Sequence, residues 1–453
     1  MVSNTAIVPE VFWTTPLDFK SDYGAEDPLA LDYISQQIGN WLLPGITTRT
    51  SRAFYYPMVL YGLCLAEKAI TEYELVRRDG TVQQLFERWE RFWAIAIARH
   101  YRGSIPPEHS AGMRGVRGAQ REAVANSGQS LPTDYKLITR QLELAALGAY
   151  LSSLRHYELV QDGTLTPTKL GRDIAAEFWA DGGHRFDRTL EGYALMALDP
   201  KRKKYPSKHA VFTIEKLGTM CRLGQVRRRE VLQMKLWDTL FTMPSRRVRQ
   251  DPTPEVVTMV LSANKAEVVK PKDIIYWSLS AKGKKAPSGD LRDLLDLART
   301  FEEFASWTRI TFDRLFKSVS ARGCTAPIQS TVRDLLPKKE CKNAARLASD
   351  LLGTQLATKI AGLPFHGGRF MEFVEHASSA NASAMFESML SFHRSVQVFR
   401  RRSDGWVRIL DGDTISCSGG YSAVYADRTG WTHGFKLDAL RMLLADLGRI
   451  DEG

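Results

Sequence analysis

No long apolar run occurs in this sequence: no window reaches about 18 consecutive apolar residues, the length that a membrane-spanning helix needs. Residues 1–15 also lack the basic start and the apolar stretch of a signal peptide. The five cysteines are scattered and form no Cys-x-x-Cys pair, so they predict reduced thiols instead of a disulfide framework or a structural zinc site. Together these absences predict a cytoplasmic protein that does not enter a membrane.

The motifs of several common enzyme classes are absent as well. The one Gly-Lys pair, Gly283-Lys284, is followed by Lys285 and lacks the upstream glycine of a phosphate-binding loop. No His-Glu-x-x-His, Gly-x-Ser-x-Gly or dinucleotide-binding glycine motif occurs, and the nine histidines are dispersed. The sequence therefore predicts no catalytic residue, no metal site and no cofactor.

Length and composition are those of a folded chain with several cores. With 453 residues, 44% of them apolar and 25% charged, the chain predicts about three globular units. Helical periodicity dominates, so we expect a mainly α, multi-domain helical protein with a winged-helix-like domain and a small β-rich C-terminal region. The expected segments are a helical domain over 1–102, a Gly/Arg-rich loop over 103–132, a winged-helix-like domain over 133–185, a basic segment over 186–252, a helical bundle over 253–393, and a small sheet with a final helix over 394–453.

An aromatic stripe marks one expected helix, from Val82 to Tyr101. Phe86, Trp89 and Trp93 recur there at three- and four-residue steps, which is typical of a buried helix face and not of a base-stacking surface. Further helices are predicted over Leu29–Leu43, from Ser51 towards Leu75, and over Gly289–Ala321.

The Gly/Arg-rich loop carries Arg114, Arg117 and Arg121 among glycine, serine and proline. Loops of this length in compact proteins are often functional, and arginines on a flexible arm can follow a phosphate backbone. The alternative is a solvated surface loop with no ligand.

A helix, a short hairpin and a second helix are predicted between Lys136 and Trp179, with Asp162-Gly163 as the tight turn. The pattern Tyr150-x-x-x-Leu154-x-x-Tyr157-x-Leu159-Val160, followed by Leu165-Thr166-Pro167-x-x-x-Gly171, resembles the end of a winged-helix domain. This resemblance implies contacts to DNA through the helix and the wing, or else a protein-docking module. The candidate DNA contacts here are Arg140, Arg155, Lys169 and Arg172.

The positive charge of the chain is concentrated in one segment. Residues 201–250 hold 14 Lys or Arg against three acids, an excess equal to the net charge of +11 of the whole chain. Such a dense cluster favours an anionic partner, which is DNA, RNA or an acidic protein; the alternative is a solvated face. The candidate contacts are Lys201, Arg202, Lys203, Lys204, Arg227, Arg228 and Arg229, with Arg246, Arg247 and Arg249 further along.

Short β-branched runs between Asp-Gly and Gly-Gly turns predict a small antiparallel sheet near the C-terminal end. The expected strands are Ser395–Phe399, Trp406–Leu410, Thr414–Cys417 and Ser422–Tyr425, followed by an amphipathic helix over Leu437–Leu447. Asp411, Asp413, Asp427 and Lys436 lie in this region and could assemble a metal-dependent nuclease site. The alternative is that the acids are ordinary turn residues.

One more motif lies near the N-terminal end. Trp41-Leu42-Leu43-Pro44-Gly45-Ile46-Thr47-Thr48, followed by Arg49, Arg52-Ala53 and Phe54-Tyr55-Tyr56, is similar to the N-terminal hallmark of uncharacterised bacterial proteins of mobile or defence loci. The resemblance implies a genomic setting and supplies no catalytic residue.

Three functions follow as hypotheses. The first is a non-catalytic nucleic-acid-binding subunit of a bacterial multi-protein system, with anti-phage or anti-plasmid defence as its setting. The second is a scaffold whose winged helix and basic face dock an acidic protein. The third is the metal-dependent nuclease.

Overall fold

The computed structural model describes residues 27–126, 132–179, 188–205, 217–242, 251–283, 286–402, 405–418, 421–428 and 430–451. These residues form two compact units, each built from two separate stretches of the chain. Unit 1 comprises the described residues up to Leu42 together with Glu267–Phe435, and unit 2 comprises Leu43–Ala266 together with the described residues from Lys436 onward. The predicted mainly helical architecture with a small antiparallel sheet is confirmed.

Unit 1 is organised around one long helix, α13 (Gly289–Ala321), whose bounds match the prediction. It begins at Ser288, whose side chain accepts a hydrogen bond from the Leu291 amide and so caps the first turn. The helices of this unit are α1 (Leu31–Leu42), α12 (Pro271–Ser280), α13, α14 (Ile328–Leu335), α15 (Lys338–Leu352), α16 (Ala357–Ala361), α17 (Gly367–Ser378) and α18 (Ala382–Phe399).

A three-stranded antiparallel sheet completes unit 1. Its strands are β1 (Thr325–Pro327), β2 (Val407–Leu410) and β3 (Thr414–Cys417), in the order β1–β3–β2. The predicted strands at β2 and β3 are confirmed, whereas the predicted strand Ser395–Phe399 was wrong because it forms the last turns of α18. Ser422–Tyr425 is not a strand either, and the third strand comes from Thr325–Pro327, where no strand was predicted.

Unit 2 holds the aromatic core. Trp89 and Trp93 of α3 (Asp79–His100) are fully buried, as are Tyr55 and Tyr56 of α2 (Tyr55–Glu72), so the predicted role of the stripe in the core is confirmed. Before the basic segment, unit 2 contains α2 (Tyr55–Glu72), α3 (Asp79–His100), α4 (Pro107–Ser110), α5 (Val116–Ala125), α6 (Gln141–Leu144), α7 (Ala146–His156), α8 (Lys169–Ala175) and α9 (Arg188–Leu198).

The predicted long loop over 103–132 contains two helices, α4 and α5, and 127–131 lie outside the described residues. Position 118 in α5 requires glycine, because a Cβ there would lie 2.1 Å from the Leu137 carbonyl oxygen. The glycines that suggested a loop instead allow α5 to pack closely against residues 136–137.

The region predicted to be winged-helix-like contains α7, an isolated antiparallel bridge between Val160 and Pro167, and α8. Thr168 caps α8 by accepting a hydrogen bond from the Gly171 amide at 3.1 Å. The order helix, hairpin, helix is present, but the hairpin is reduced to one bridge.

The predicted helix over Val226–Leu240 is divided into three parts: a 3-10 helix (Leu223–Arg228), α10 (Glu230–Trp237) and a π-helical turn (Asp238–Thr242). Next along the chain is α11 (Thr253–Lys265). The final helix, α19 (Leu437–Asp446), packs in unit 2 against α11 and the 3-10 helix, although the sequence placed it with the sheet. Its Leu440, Leu443 and Leu444 are buried, as expected. Within the described residues, every helix is too short or too polar to cross a membrane.

Candidate nucleic-acid interface

Three arginines of unit 2 lie together although they come from distant positions in the sequence. Arg114 donates a hydrogen bond through Nη2 to the Arg49 carbonyl oxygen at 3.0 Å. The pKa of Arg49 is lowered first by partial burial and then by the positive charges of Arg114 and Arg140. Glu143 is the acid beside them, 3.3 Å from Arg140. Arg140 therefore has one carboxylate as its partner, and Arg49 and Arg114 add two further positive charges beside it.

Each of these arginines is placed by a specific backbone feature. Arg49 lies in a turn where the Thr47 amide donates to the Thr50 hydroxyl at 2.8 Å. The Arg114 amide donates to the Tyr55 hydroxyl at 2.6 Å, while the buried Nε of Arg114 has no hydrogen-bond acceptor among the described residues. Arg140 has φ +51° directly before α6. The cluster thus has more donors than acceptors, which is typical of a surface that meets an anion.

A second basic group is the loop after α9. Lys201, Arg202, Lys203 and Lys204 are all exposed. Arg88 of α3 holds this loop through hydrogen bonds to the carbonyl oxygens of Asp199 and Arg202, both at 2.8 Å. The predicted contacts over 201–204 are therefore presented to solvent on an anchored loop.

One segment, 132–141, connects the loop to the arginine cluster. At its start, the Thr133 amide donates to the Lys203 carbonyl oxygen at 3.1 Å. At its end, Gln141 donates to Glu90 of α3 at 2.9 Å. The anchors Arg88 and Glu90 are two residues apart on α3, a rise of about 3 Å along its axis, and the ten-residue segment 132–141 links the two basic groups.

We call this set the basic strip: Arg49, Arg114, Lys136, Arg140, Lys201, Arg202, Lys203 and Lys204. Asp134, Glu143 and Asp199 lie among these residues, and the strip keeps an excess of positive charge. Arg117 is exposed on the first turn of α5, three positions after Arg114.

The three arginines at 227–229 differ in exposure, and the 3-10 helix ends between the second and the third. Arg227 and Arg228 are exposed, and Arg227 donates to the Ala445 carbonyl oxygen at 3.1 Å. Arg229 is buried, and its guanidinium donates to the carbonyl oxygens of Glu177, Phe178 and Met220. Arg229 therefore joins three chain segments inside unit 2 and is not presented to a ligand. Lys208, Lys216, Arg246, Arg247 and Arg249 lie outside the described residues.

The winged-helix candidates have different surroundings. Lys169 is exposed at the start of α8. Arg172 forms an ion pair with Glu67 at 2.7 Å, and Arg155 donates to the Thr164 carbonyl oxygen at 3.0 Å. Most of α7 is buried, including Tyr150, so this helix offers little surface to a DNA groove.

The C-terminal acids have separate structural roles. Asp411 and Asp413 lie in the turn between β2 and β3, where the Asp413 carbonyl oxygen accepts from the Ile328 amide at 2.8 Å. Asp427 pairs with Lys317 at 2.6 Å. Lys436 belongs to unit 2, where it donates to the Leu43 carbonyl oxygen at 2.9 Å. Over the residues that the structure describes, no three His, Cys, Asp or Glu side chains form a metal-binding group.

A buried charge network in unit 1 was missed by the sequence interpretation. His433 contacts Glu302 through Nδ1 and Asp32 through Nε2, both at 2.6 Å, and Arg309 contacts Asp32 at 2.7 Å. Burial alone would lower the pKa of His433, but the hydrogen bonds to the two carboxylates raise it to about 9. His433 is therefore a cation at neutral pH. No short motif joins these residues, so only the fold brings them together.

Comparison of the chain with known protein families, curated proteins and solved structures gave no match.

Proposed function

We propose that this protein is a non-catalytic nucleic-acid-binding subunit of a bacterial multi-protein system, and that duplex DNA is its ligand. The arginine cluster of Arg49, Arg114 and Arg140 is the observation that carries the proposal, because three positive charges lie together and only Arg140 is paired with a carboxylate, that of Glu143. The setting in anti-phage or anti-plasmid defence rests on the N-terminal motif described above.

The geometry supports contacts to phosphates more than contacts to bases. The basic strip combines a cluster anchored on α3 with an exposed lysine-rich loop, which suits a charged backbone. By contrast, α7 is mostly buried, and Arg155 and Arg172 are engaged within the protein. In this proposal the winged-helix-like region contributes through Lys169, at the edge of the interface, and sequence preference is weak.

The first prediction concerns salt. Each phosphate that the strip neutralises releases counterions and adds roughly −0.9 to the slope of log affinity against log salt concentration. We expect a fluorescently labelled 20-base-pair duplex to bind at low salt with a slope steeper than about −3. Duplexes of unrelated sequence should bind with similar affinity. The proposal would be refuted if no binding were detected at 25 mM salt. A stable complex with an acidic protein in the absence of DNA would favour the scaffold hypothesis instead.

The second prediction locates the interface. Changing Arg49, Arg140 and Lys203 to glutamine removes three exposed charges of the basic strip, so affinity for every duplex should fall at least tenfold and the slope should become shallower by about 2–3. In the matched control, Lys68, Arg78 and Lys265 are changed to glutamine instead. These residues are exposed cations of unit 2 outside the strip, so the control should keep most of the affinity. Equal losses in both variants would show that net charge, and not the strip, determines binding.

A further inference from the structure

A cleft of about 410 Å³ opens in unit 1, and the function proposed above does not use it. Its volume falls in the range of small-molecule sites, about 300–1,000 Å³. Helices α12, α13 and α15 and the loop before Phe435 form its walls. Its lining combines aromatic side chains, among them Tyr276 and Trp431, with basic ones.

The first chemical feature of the cleft is aromatic. The rings of Tyr276 and Trp431 lie 5.8 Å apart between centroids, at an angle of 46°, and both are partly exposed. Trp307 lines the cleft from α13 with only 9% of its surface exposed. Flat aromatic surfaces of this kind stack on nucleobases, because every base has a π-face.

The second feature is positive charge. Arg314, Arg346 and Arg428 line the cleft and are exposed, and Lys272 lies 5.7 Å from the centre of the Tyr276 ring. Glu303 is the acid in the lining, but it accepts from the Tyr276 hydroxyl and pairs with Arg299 at 3.3 Å. Arg346 also pairs with Asp350 at 2.8 Å, so Lys272, Arg314 and Arg428 supply most of the positive charge that faces solvent beside the aromatic rings.

The third feature is a rigid support for the loop. Glu302 is fully buried and accepts hydrogen bonds from the Thr432 and His433 amides, directly after Trp431. Asp313, three turns further along α13, accepts from the Tyr425 amide at 2.7 Å, three residues before Arg428. Two buried carboxylates on one helix thus hold the chain at Tyr425, shortly before Arg428, and at Thr432 and His433, directly after Trp431.

From these three features we infer that the cleft binds a nucleotide. The base stacks on Trp431 and Tyr276, and the phosphate contacts Arg346 and Arg428, with Arg314 and Lys272 nearby. The same chemistry is offered by a free nucleoside phosphate and by an unpaired nucleotide of a single strand. The inference does not depend on the basic strip, because every residue that carries it belongs to unit 1.

The test uses the full-length protein and two kinds of probe. Isothermal titration with ATP, AMP and pyrophosphate measures free ligands, and anisotropy of a labelled ten-residue oligothymidylate measures a single strand. We expect ATP or the oligothymidylate to bind and pyrophosphate to bind at least tenfold more weakly, because it lacks a base. If the oligothymidylate binds and ATP does not, the ligand is an unpaired nucleotide of a single strand. If ATP binds and the oligothymidylate does not, the ligand is a free nucleotide.

Variants assign the binding to the cleft. Changing Arg346 and Arg428 to alanine should weaken binding at least tenfold, and Trp431→Ala should do the same while Trp431→Phe retains most of the affinity. Arg394→Ala, an exposed change on α18 that is not part of the lining, is the control. The inference is overturned if no probe binds at millimolar concentration, or if pyrophosphate binds as tightly as ATP. It is also overturned if the basic-strip variant loses binding of every probe while the cleft variants keep it, a result that would leave the proposed function intact.

Discussion

Replacing His433 with alanine should lower the free energy of unfolding of unit 1 by about 3–5 kcal/mol at pH 6, because the change removes the charged partner of a buried carboxylate. The side chain of Glu302 is fully buried, and that of His433 is 14% exposed. Asp32 is half-exposed, so most of the loss should come from Glu302 and less from Asp32. Urea unfolding, with hydrogen exchange of the α13 amides to locate the loss, measures this effect.

The same network predicts a pH dependence with a definite sign. Because the pKa of His433 rises from 6.5 to about 9 on folding, its stabilising effect is complete below pH 6.5 and disappears as the pH rises through 9. The pKa values of Glu302 and Asp32 are lowered, because the contacts with His433 and Arg309 outweigh burial. Their stabilising effect is therefore present at neutral pH and is lost in acid. The network should stabilise unit 1 most between about pH 5 and 6.5.

A comparison of variants isolates this effect. Burial lowers the pKa of Lys436 in unit 2 to about 7, which adds a trend of opposite sign to the whole-protein curve. The informative quantity is thus the difference in unfolding free energy between wild type and His433→Ala, which should shrink between pH 6.5 and 9.5. A difference that stays constant over this range would contradict the assignment of a charged His433.

The second large effect is expected in unit 2, at Arg52. Its Nε lies 2.9 Å from Asp446, and its guanidinium also donates to the carbonyl oxygens of Glu108 and Ala111. Arg52→Met should cost about 3–5 kcal/mol, because it leaves a buried carboxylate without its ion-pair partner. Thermal or urea unfolding of the full chain measures the loss.

Asp446→Asn is the matched control for Arg52→Met. Burial raises the pKa of Asp446 above its usual value even though Arg52 is adjacent, so the charged carboxylate is held at a cost. An asparagine keeps an oxygen that accepts from the Ala53 amide, where Asp446 now accepts at 2.9 Å, and avoids the burial of charge. The buried Arg52 guanidinium loses its counter-ion but keeps hydrogen-bond acceptors, so we expect a loss of about 1–3 kcal/mol, smaller than that of Arg52→Met. A loss as large as that of Arg52→Met would show that the charge on Asp446, and not its hydrogen bonds, is what matters.

The helices with strong periodicity could be predicted from the sequence, and those shaped by tertiary contacts could not. Gly289–Ala321 was predicted to the residue because Ser288 caps it and apolar positions recur along its whole length. Ser395–Phe399 has the β-branched residues of a strand, but it continues α18, where Val396 and Gln397 are buried. Local propensity was overridden there by packing of the preceding helix.

The candidate sites show a similar division. Net charge pointed to residues 201–250, and within this segment the loop over 201–204 is exposed. Arg229 has the same local sequence as its neighbours, yet it is buried among carbonyl oxygens, which no composition argument distinguishes. Arg49 and Trp431 are candidate contact residues only because the fold brings them beside residues far away in the chain. Such groupings depend on long-range contacts that periodicity does not encode.

The order of the segments along the chain affects how the protein folds during synthesis. Unit 2 is closed by α19, whose leucines pack against α11 and the 3-10 helix, but the whole of Glu267–Phe435 is translated between α11 and α19. On the ribosome, the apolar surface of α11 and the 3-10 helix that α19 covers therefore stays exposed until α19 emerges. Unit 1, apart from α1, is made in one continuous stretch and can fold first. The nascent chain is thus expected to complete the later-encoded unit before the earlier one, and to need protection from aggregation in that interval.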